Sequence, residues 1–285
     1  MKKLIAIIFL CLFSQQTFAY DIKLHAPFSS TGNAQNIIRI LAEGLAEKGW
    51  DLNIKITGNP KLSKETYNKT TEPFLLVYAS DTASSKSDVH YMTPPTTKDF
   101  VTSLYSFQLF ICTIKDLDVD DFLNKNKSYK IGITQDPVSP MYINALQKYL
   151  GTNHKLLRYD GSKKVGLALF SGEIDFSFSS KGAKYVNAGK ARCLYGTGAK
   201  SVLGIKTIKS AYPEWNLNTL PGVVYLRAKN IPADKLEQLR NDFQELQSSY
   251  APYLEYVNTR FYDTPTGTSL KAQVDIIKKL DSALK

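Results

Sequence analysis

Cysteine is scarce in this chain, and its scarcity removes several classes of function at once. Three cysteines occur among 285 residues. Cys11, Cys112 and Cys193 are too few for the disulfide framework of a small secreted scaffold or for a thiolate-rich metal centre. Histidine is equally sparse: His25, His90 and His154 lie far apart and lack the spacing of metal ligands, so no metal and no cofactor is expected. A Gly-x-Ser-x-Gly elbow, a phosphate loop, a paired-cysteine motif and a dinucleotide fingerprint are all missing, and an enzyme is not expected. Long apolar runs are missing too. Leu4 to Phe13 spans about ten residues, against the roughly 20 that a membrane helix needs.

That short run has another reading. Lys2 and Lys3 precede it, and Ser14-Gln15-Gln16 and Thr17-Phe18-Ala19 follow, the pattern of a secretory leader with small residues at the cleavage positions. Cleavage after Ala19 predicts a periplasmic chain that begins at Tyr20 and is not embedded in a membrane. Leu10 is not the small residue that would precede a lipid-modified cysteine, which leaves Cys11 in the apolar core of the leader. Cys112 and Cys193 stand in the apolar runs Gln108 to Ile114 and Ala191 to Tyr195, and both are expected as buried free thiols, with a bridge between them as the alternative. Stability must then come from packing, for which the 43% hydrophobic content supplies two lobes of ordinary size.

The formal charge is +10, of which Lys2 and Lys3 leave with the leader. The remaining basic residues are dispersed: Lys61, Lys64, Lys69, Lys163, Lys164, Lys181, Lys184, Lys190, Lys278 and Lys279 form no block and no aromatic-interleaved stripe. Nucleic acid is therefore not an expected partner. A solvated basic surface that modestly draws anions toward a cleft is.

Strand-like runs alternate with helical patterns along most of the chain, which predicts an α/β protein with mainly parallel sheets flanked by helices. Asp21 to His25, Leu52 to Ile56 and Phe74 to Ala79 read as strands, with a helix over Asn33 to Lys48 and a short helix within Asn59 to Thr71. Ser80 to Thr97 reads as a long loop. A second block repeats this logic. Gln108 to Lys115 reads as a strand crossing between lobes, and Tyr129 to Thr134, Lys155 to Asp160, Ile174 to Phe178 and Ala191 to Tyr195 as strands. Helices are expected over Ser139 to Leu150, with Pro140 in the first turn, and over Ser162 to Ser171 and Lys181 to Ala188. After the strand Val223 to Arg227, helices over Pro232 to Gln247, Ala251 to Val257 and Thr268 to Leu284 return to the first lobe. Lobe 1 is thus expected to hold residues 20–110 and 225–285, and lobe 2 residues 111–224.

Candidate binding residues cluster where strands end, since ligands of open parallel sheets sit beyond the carboxyl ends of the strands. The first turn offers Ser29, Ser30, Thr31, Gly32 and Asn33, whose hydroxyls and N–H groups at a helix start suit an anion. The same residues also serve as turn formers, with Asn33 as a helix cap. Ser80 and Asp81 follow the strand Phe74 to Ala79. Asp81 would repel a carboxylate unless it bonds a ligand hydroxyl or amine. Thr134, Gln135 and Ser139 flank the corresponding turn of the second block, where capping alone explains Ser139. Tyr159 ends one strand, as a cleft phenol or a half-packed ring, and Ser179 and Ser180 end another. Arg39 is either a carboxylate clamp or an internal partner of its own lobe.

These residues and their order resemble the periplasmic solute receptors of tripartite tricarboxylate transporters, the Bug receptors, over essentially the whole mature chain. Pro27, Phe28, Ser29, Ser30, Thr31, Gly32, Gln35 and Arg39 occupy the places of the family's opening motif, with Thr31 for its first glycine and Gln35 for its aspartate. Leu157 to Gly161 is similar to "VPYKG", Gly172-Glu173-Ile174-Asp175 to "GxVD", Ala188 to Leu194 to "AGKxRxLA", and Arg227 to Pro232 to "APAGTP". Val138-Ser139-Pro140 stands for the usual Gly-Ser-Pro, Tyr142 for a histidine and Ser179 for an aspartate. The resemblance implies a two-lobed type II-like binding-protein fold that holds a carboxylate between its lobes. It also implies a monomer that delivers a small organic anion to membrane transporter subunits. Losing two acidic positions implies a ligand unlike the amino acids and simple dicarboxylates typical of the family, or one with more negative charge. The competing readings are a receptor for a sensor kinase and an esterase-like hydrolase that pairs His25 with a serine of the first turn.

Overall fold

The computed structural model describes residues 19–27, 33–79, 93–135, 138–198, 200–215 and 222–260, together with helical positions 271, 274 and 278. The chain runs β1 (Tyr20–Ala26), α1 (Asn33–Ala46), β2 (Trp50–Ile56), α2 (Pro60–Lys69), β3 (Phe74–Ala79) and β4 (Phe100–Phe107). It continues through β5 (Phe110–Thr113), α3 (Val119–Leu123), β6 (Lys130–Thr134), α4 (Val138–Leu150), β7 (Lys155–Tyr159) and α5 (Ser162–Phe170). Then come β8 (Phe176–Ser179), α6 (Gly182–Asn187), β9 (Arg192–Gly196), α7 (Ile208–Ala211), β10 (Gly222–Lys229), α8 (Ala233–Ser249) and α9 (Ala251–Asn258).

Two five-stranded sheets result, ordered β2-β1-β3-β10-β4 and β7-β6-β8-β5-β9. They share one plan. In each, four strands run one way and the strand in the fourth place, β10 or β5, runs against both of its neighbours. The fourth strand of each sheet enters from the other half of the chain: β5 follows β4 directly, and β10 follows the β9–α7 segment. This is the expected α/β architecture of two mainly parallel sheets.

Local sequence explains the elements. Ile37, Leu41 and Leu45 recur on one stripe of α1 and are fully or almost fully buried beside Ile22 and Leu24 of β1. Gly49, at φ 84°, takes the left-handed turn that ends this helical segment and leads into β2. Asn59 caps α2 by accepting from the Leu62 N–H at 3.1 Å, with Pro60 in the first turn. All six residues of β3 are buried because both of its faces are covered. Leu75 and Val77 face the main core, and Phe74, Leu76 and Tyr78 face Tyr67 and Tyr225.

Several expectations change. Phe100–Phe107, left unassigned between the expected loop and Gln108, is a full strand, β4, whose polar Thr102, Ser103 and Ser106 interrupt the apolar pattern. Gln108 to Lys115 does not cross between sheets as one strand: β5 lies wholly in the second sheet, and the crossover is the short Gln108-Leu109 link. The helix expected over Thr268 to Leu284 lies almost wholly outside the described residues.

The two cysteines are not free thiols. β5 and β9 are antiparallel neighbours whose register sets Cys112 opposite Cys193, and the two form a disulfide across 81 residues of sequence. Nothing in that long spacing announces the pairing; only the sheet register does. Gly182, the first residue of α6, lets that helix approach β5, since a Cβ there would sit 2.3 Å from Phe110 Cβ and 2.6 Å from Cys112 Sγ.

Polar ties hold the helices to the first sheet. Tyr253 Oη donates to Leu104 O at 2.7 Å, and Trp50 Nε1 donates to Asp242 Oδ2 at 2.7 Å. Arg227, buried on β10, pairs with Asp99, and its Nη1 donates to Thr93 O at 2.6 Å.

Candidate ligand-binding site

Strand direction decides where a ligand can sit. In the second sheet β6, β7 and β8 run parallel, so Thr134, Tyr159 and Ser179 end on one edge. The antiparallel β5 begins at that edge, with Phe110 opposite both Ser179 and Gly196. In the first sheet β1 and β3 end at Ala26 and Ala79. β10 begins at the same edge, with Val224 opposite Ala79 and Gly222 opposite Phe107. The Gln108-Leu109 crossover therefore joins the carboxyl edges of the two parallel strand sets, the position at which open α/β sheets bind ligands.

Three buried hydroxyls stand at the second edge. Thr134 Oγ1 and Ser139 Oγ are 2.7 Å apart. Ser179 is fully buried, and its Oγ has no hydrogen-bond partner among the described residues. A buried hydroxyl without a partner costs about 1–3 kcal/mol, a cost that ligand oxygen atoms relieve. Ser180, next along, is a half-buried turn residue. Gln135 is exposed, and its backbone N–H donates to Tyr159 O at 3.0 Å.

Tyr159 is already committed. Its hydroxyl donates to Glu173 Oε1 at 2.7 Å, and burial, followed by that carboxylate, pushes the phenol up to about 12. Its ring packs beside Val165, Leu169 and Ile174. Asn33 begins α1 and accepts from Tyr256 Oη at 3.2 Å, while Asn36 Nδ2 donates to Tyr256 Oη at 2.9 Å. Gln35 is buried and Arg39 lies exposed on the helix surface. Tyr142, in the family's histidine place, is buried against Phe178 and Trp215; burial raises its phenol pKa despite a hydrogen bond with Trp215. Ser29, Ser30, Thr31, Gly32, Ser80 and Asp81 lie outside the described residues.

Gln108 is a further candidate site residue that sequence reading passes over. It is buried in the crossover, donates from Nε2 to Lys200 O at 3.2 Å, and leaves Oε1 without a partner among the described residues. Thr197 fastens the same link, its N–H to Leu109 O at 2.9 Å and its Oγ1 from Leu109 N at 2.9 Å. One polar side chain inside the apolar run from Phe107 to Cys112 is the signal that could have found it.

His25 sits near the end of β1, buried, with its ring 4.8 Å from that of Phe74. Burial first, then Lys55 and Lys23, lower its pKa and favour the neutral imidazole. Among the described residues no group of three or more His, Cys, Asp or Glu side chains is arranged to hold a metal ion. Among them, too, no helix is long and apolar enough to cross a membrane.

No protein-family model and no curated protein matches this sequence. Solved structures do match in shape. MatC from Rhodopseudomonas palustris with bound malate superposes at a TM-score of 0.76, with 12% identity over 93% of this chain and 99% of that one. The periplasmic binding protein BugD gives 0.74, with 14% identity over 93% and 95% of the two chains. An R. palustris protein solved with adipate gives 0.72, with 13% identity over 93% and 97%. The chain has the two-lobed periplasmic-binding-protein fold of BugD and MatC.

Proposed function

We propose that this chain is an extracytoplasmic solute-binding receptor. It captures a small organic carboxylate between two lobes divided near residues 110 and 224, and hands it to the membrane subunits of a tripartite tricarboxylate-type transporter. The observation that carries this reading is the buried Ser179 hydroxyl, without a partner among the described residues, at the same strand edge as Thr134 and Ser139, where the crossover arrives. The fold neighbours solved with malate and adipate support a carboxylate as the guest. The leader ending at Ala19 supports a periplasmic location.

Thr134, Ser139 and Ser179 serve the ligand from the second lobe. The first-lobe share falls to Ser29, Ser30, Thr31 and Gly32, with Ser80 and Asp81 at the next strand end. Tyr159 is set aside because its proton is spent on Glu173. As the lobes close, hydroxyls and N–H groups replace the hydration of the carboxylate, so the ligand favours the closed state by its differential affinity. The receptor works as a monomer.

Thermal unfolding of the purified mature chain with di- and tricarboxylates, aromatic acids and amino acids tests the reading. An acid at 100 times its Kd adds about 2.7 kcal/mol of stability, a rise in Tm of several degrees. No shift with any acid overturns the reading. Loss of cellular uptake of the stabilising acid on deletion of the chain then tests delivery to a transporter.

A further inference from the structure

Leu167 is the most exposed large apolar side chain among the described residues, at 61%, and Phe170, one turn further along α5, is 39% exposed. The core face of that helix is complete without them: Val165, Ala168 and Leu169 are buried together with Ile174. Lys163 precedes Leu167 by four residues, so Lys163, Leu167 and Phe170 fall on one stripe of the helix surface.

α6 extends the same surface. The ring of its Tyr185 lies 5.0 Å from that of Phe170, and the Tyr185 hydroxyl donates to Ser162 O at 3.5 Å. Gly166 permits this approach, since a Cβ there would sit 2.0 Å from Tyr185 Oη. Lys184, the residue before Tyr185, is exposed. Neither Lys163 nor Lys184 has an ion-pair partner among the described residues. The acids that flank α5 are already engaged, Asp160 with Lys164 at 3.2 Å and Glu173 with the Tyr159 hydroxyl. An apolar knob is thus set between two uncompensated cations.

The place of this patch follows from strand direction. α5 starts just after β7 ends at Tyr159, and α6 just after β8 ends at Ser179, so both helices start at the carboxyl edge that the crossover reaches. Leu167 is five residues into α5, about 8 Å from that start at 1.5 Å per residue. The patch therefore lies on the second sheet's helical layer, a short way back from the edge where the candidate site stands.

We propose that Leu167 and Phe170, with Lys163 and Lys184, form the surface by which this receptor docks on a membrane subunit of its transporter, at an apolar pocket rimmed by carboxylates. This deepens the receptor reading and rests on it. Charge complementarity selects an acidic protein surface: the cations steer the encounter and exclude basic partners, and Leu167 is the anchor that fills the pocket. A lipid surface fits less well, because an interfacial helix lays a whole apolar face into the membrane and the apolar face of α5 is spent on the core. A partner seated here lies beside the site edge and can receive the ligand as the lobes part.

Uptake by cells that carry the transporter but lack the chromosomal copy of this chain tests the surface. The probe is whichever of radiolabelled succinate, malate, citrate, benzoate and glutamate most raises the melting point of the mature wild type. The complementing chains are wild type, Leu167→Glu, the pair Lys163→Glu with Lys184→Glu, and Leu62→Glu as a control at an exposed leucine of α2. All are expected to melt with wild type and to bind the probe with wild-type affinity. Leu167→Glu and the lysine pair each lower uptake about tenfold or more, and the control does not. Leu167→Ser replaces Leu167→Glu should the glutamate lower the melting point. Leu167→p-benzoylphenylalanine is expected to crosslink under light to a membrane subunit of the transporter, and Leu62→p-benzoylphenylalanine is not. Wild-type uptake by both the Leu167 variant and the lysine pair overturns the surface and leaves the receptor reading standing. Binding to phosphatidylglycerol vesicles that Leu167→Glu abolishes assigns the patch to lipid and overturns it as well. A wild type that binds the probe but restores no uptake overturns delivery to a transporter, and the docking surface with it. If no acid stabilises the chain, the receptor reading itself fails.

Discussion

Cys112 of β5 and Cys193 of β9 face each other across an antiparallel ladder and are joined by a disulfide. The bond ties the strand that enters the second sheet from the crossover to that sheet's edge strand. Reducing it, or replacing both cysteines with alanine, is expected to lower stability by about 2–5 kcal/mol. Chemical denaturation with and without reductant measures this, and coincident curves would contradict it.

Ser179 separates binding from stability. Its hydroxyl is buried without a partner among the described residues, so Ser179→Ala removes an unsatisfied group and leaves the ligand-free melting point unchanged or higher. The same substitution is expected to weaken carboxylate binding about tenfold, because one hydrogen bond to a charged group is lost. Calorimetry and thermal unfolding on one preparation read both effects. A fall in stability with unchanged affinity would make Ser179 a core residue.

Asp99 neutralises the buried Arg227 guanidinium. Asp99→Ala leaves that charge uncompensated and is expected to cost about 3–5 kcal/mol. Urea unfolding measures the loss, and a loss under 1 kcal/mol would contradict the assignment.

Asp175 gives the fold an acid limit. Burial opposes ionisation of its carboxylate, but Lys115 and the Lys130 N–H at 2.7 Å outweigh it and hold the pKa below the ordinary 3.8. A depressed carboxylate contributes stability that is full above the unfolded value and is lost as pH falls through the folded one. Wild-type stability should therefore decline as pH drops below about 4. Asp175→Asn should be less stable at pH 7, with a shallower decline on acidification. Parallel pH profiles for the two proteins would contradict this.

Most of the fold is legible because hydrophobic period and punctuation agree locally. α1 shows its stripe of Ile37, Leu41 and Leu45, and β3 is apolar throughout. β4 escapes because Thr102, Ser103 and Ser106 interrupt its apolar pattern while Gln247 of α8 satisfies the backbone at Ser103, donating from Nε2 to its carbonyl at 2.7 Å. Long-range register is what sequence alone hides. It sets Cys112 against Cys193. The "GxVD"-like stretch is legible as a motif, and the structure supplies its physical content. Glu173 receives the Tyr159 hydroxyl, Ile174 is buried, and Asp175 ties β6 to the segment after β5. Of the candidate site, Thr134, Ser139 and Ser179 are readable as strand ends followed by turns. Gln108 is not, because its meaning depends on the crossover that surrounds it.

The most direct test of the central claim is a crystal structure of the mature protein with the acid that most raises its melting point. The account predicts the acid between the two sheet edges, with a carboxylate oxygen within hydrogen-bond distance of Ser179 Oγ. The acid bound on an outer face, with the Ser179 hydroxyl still unpartnered, would contradict it.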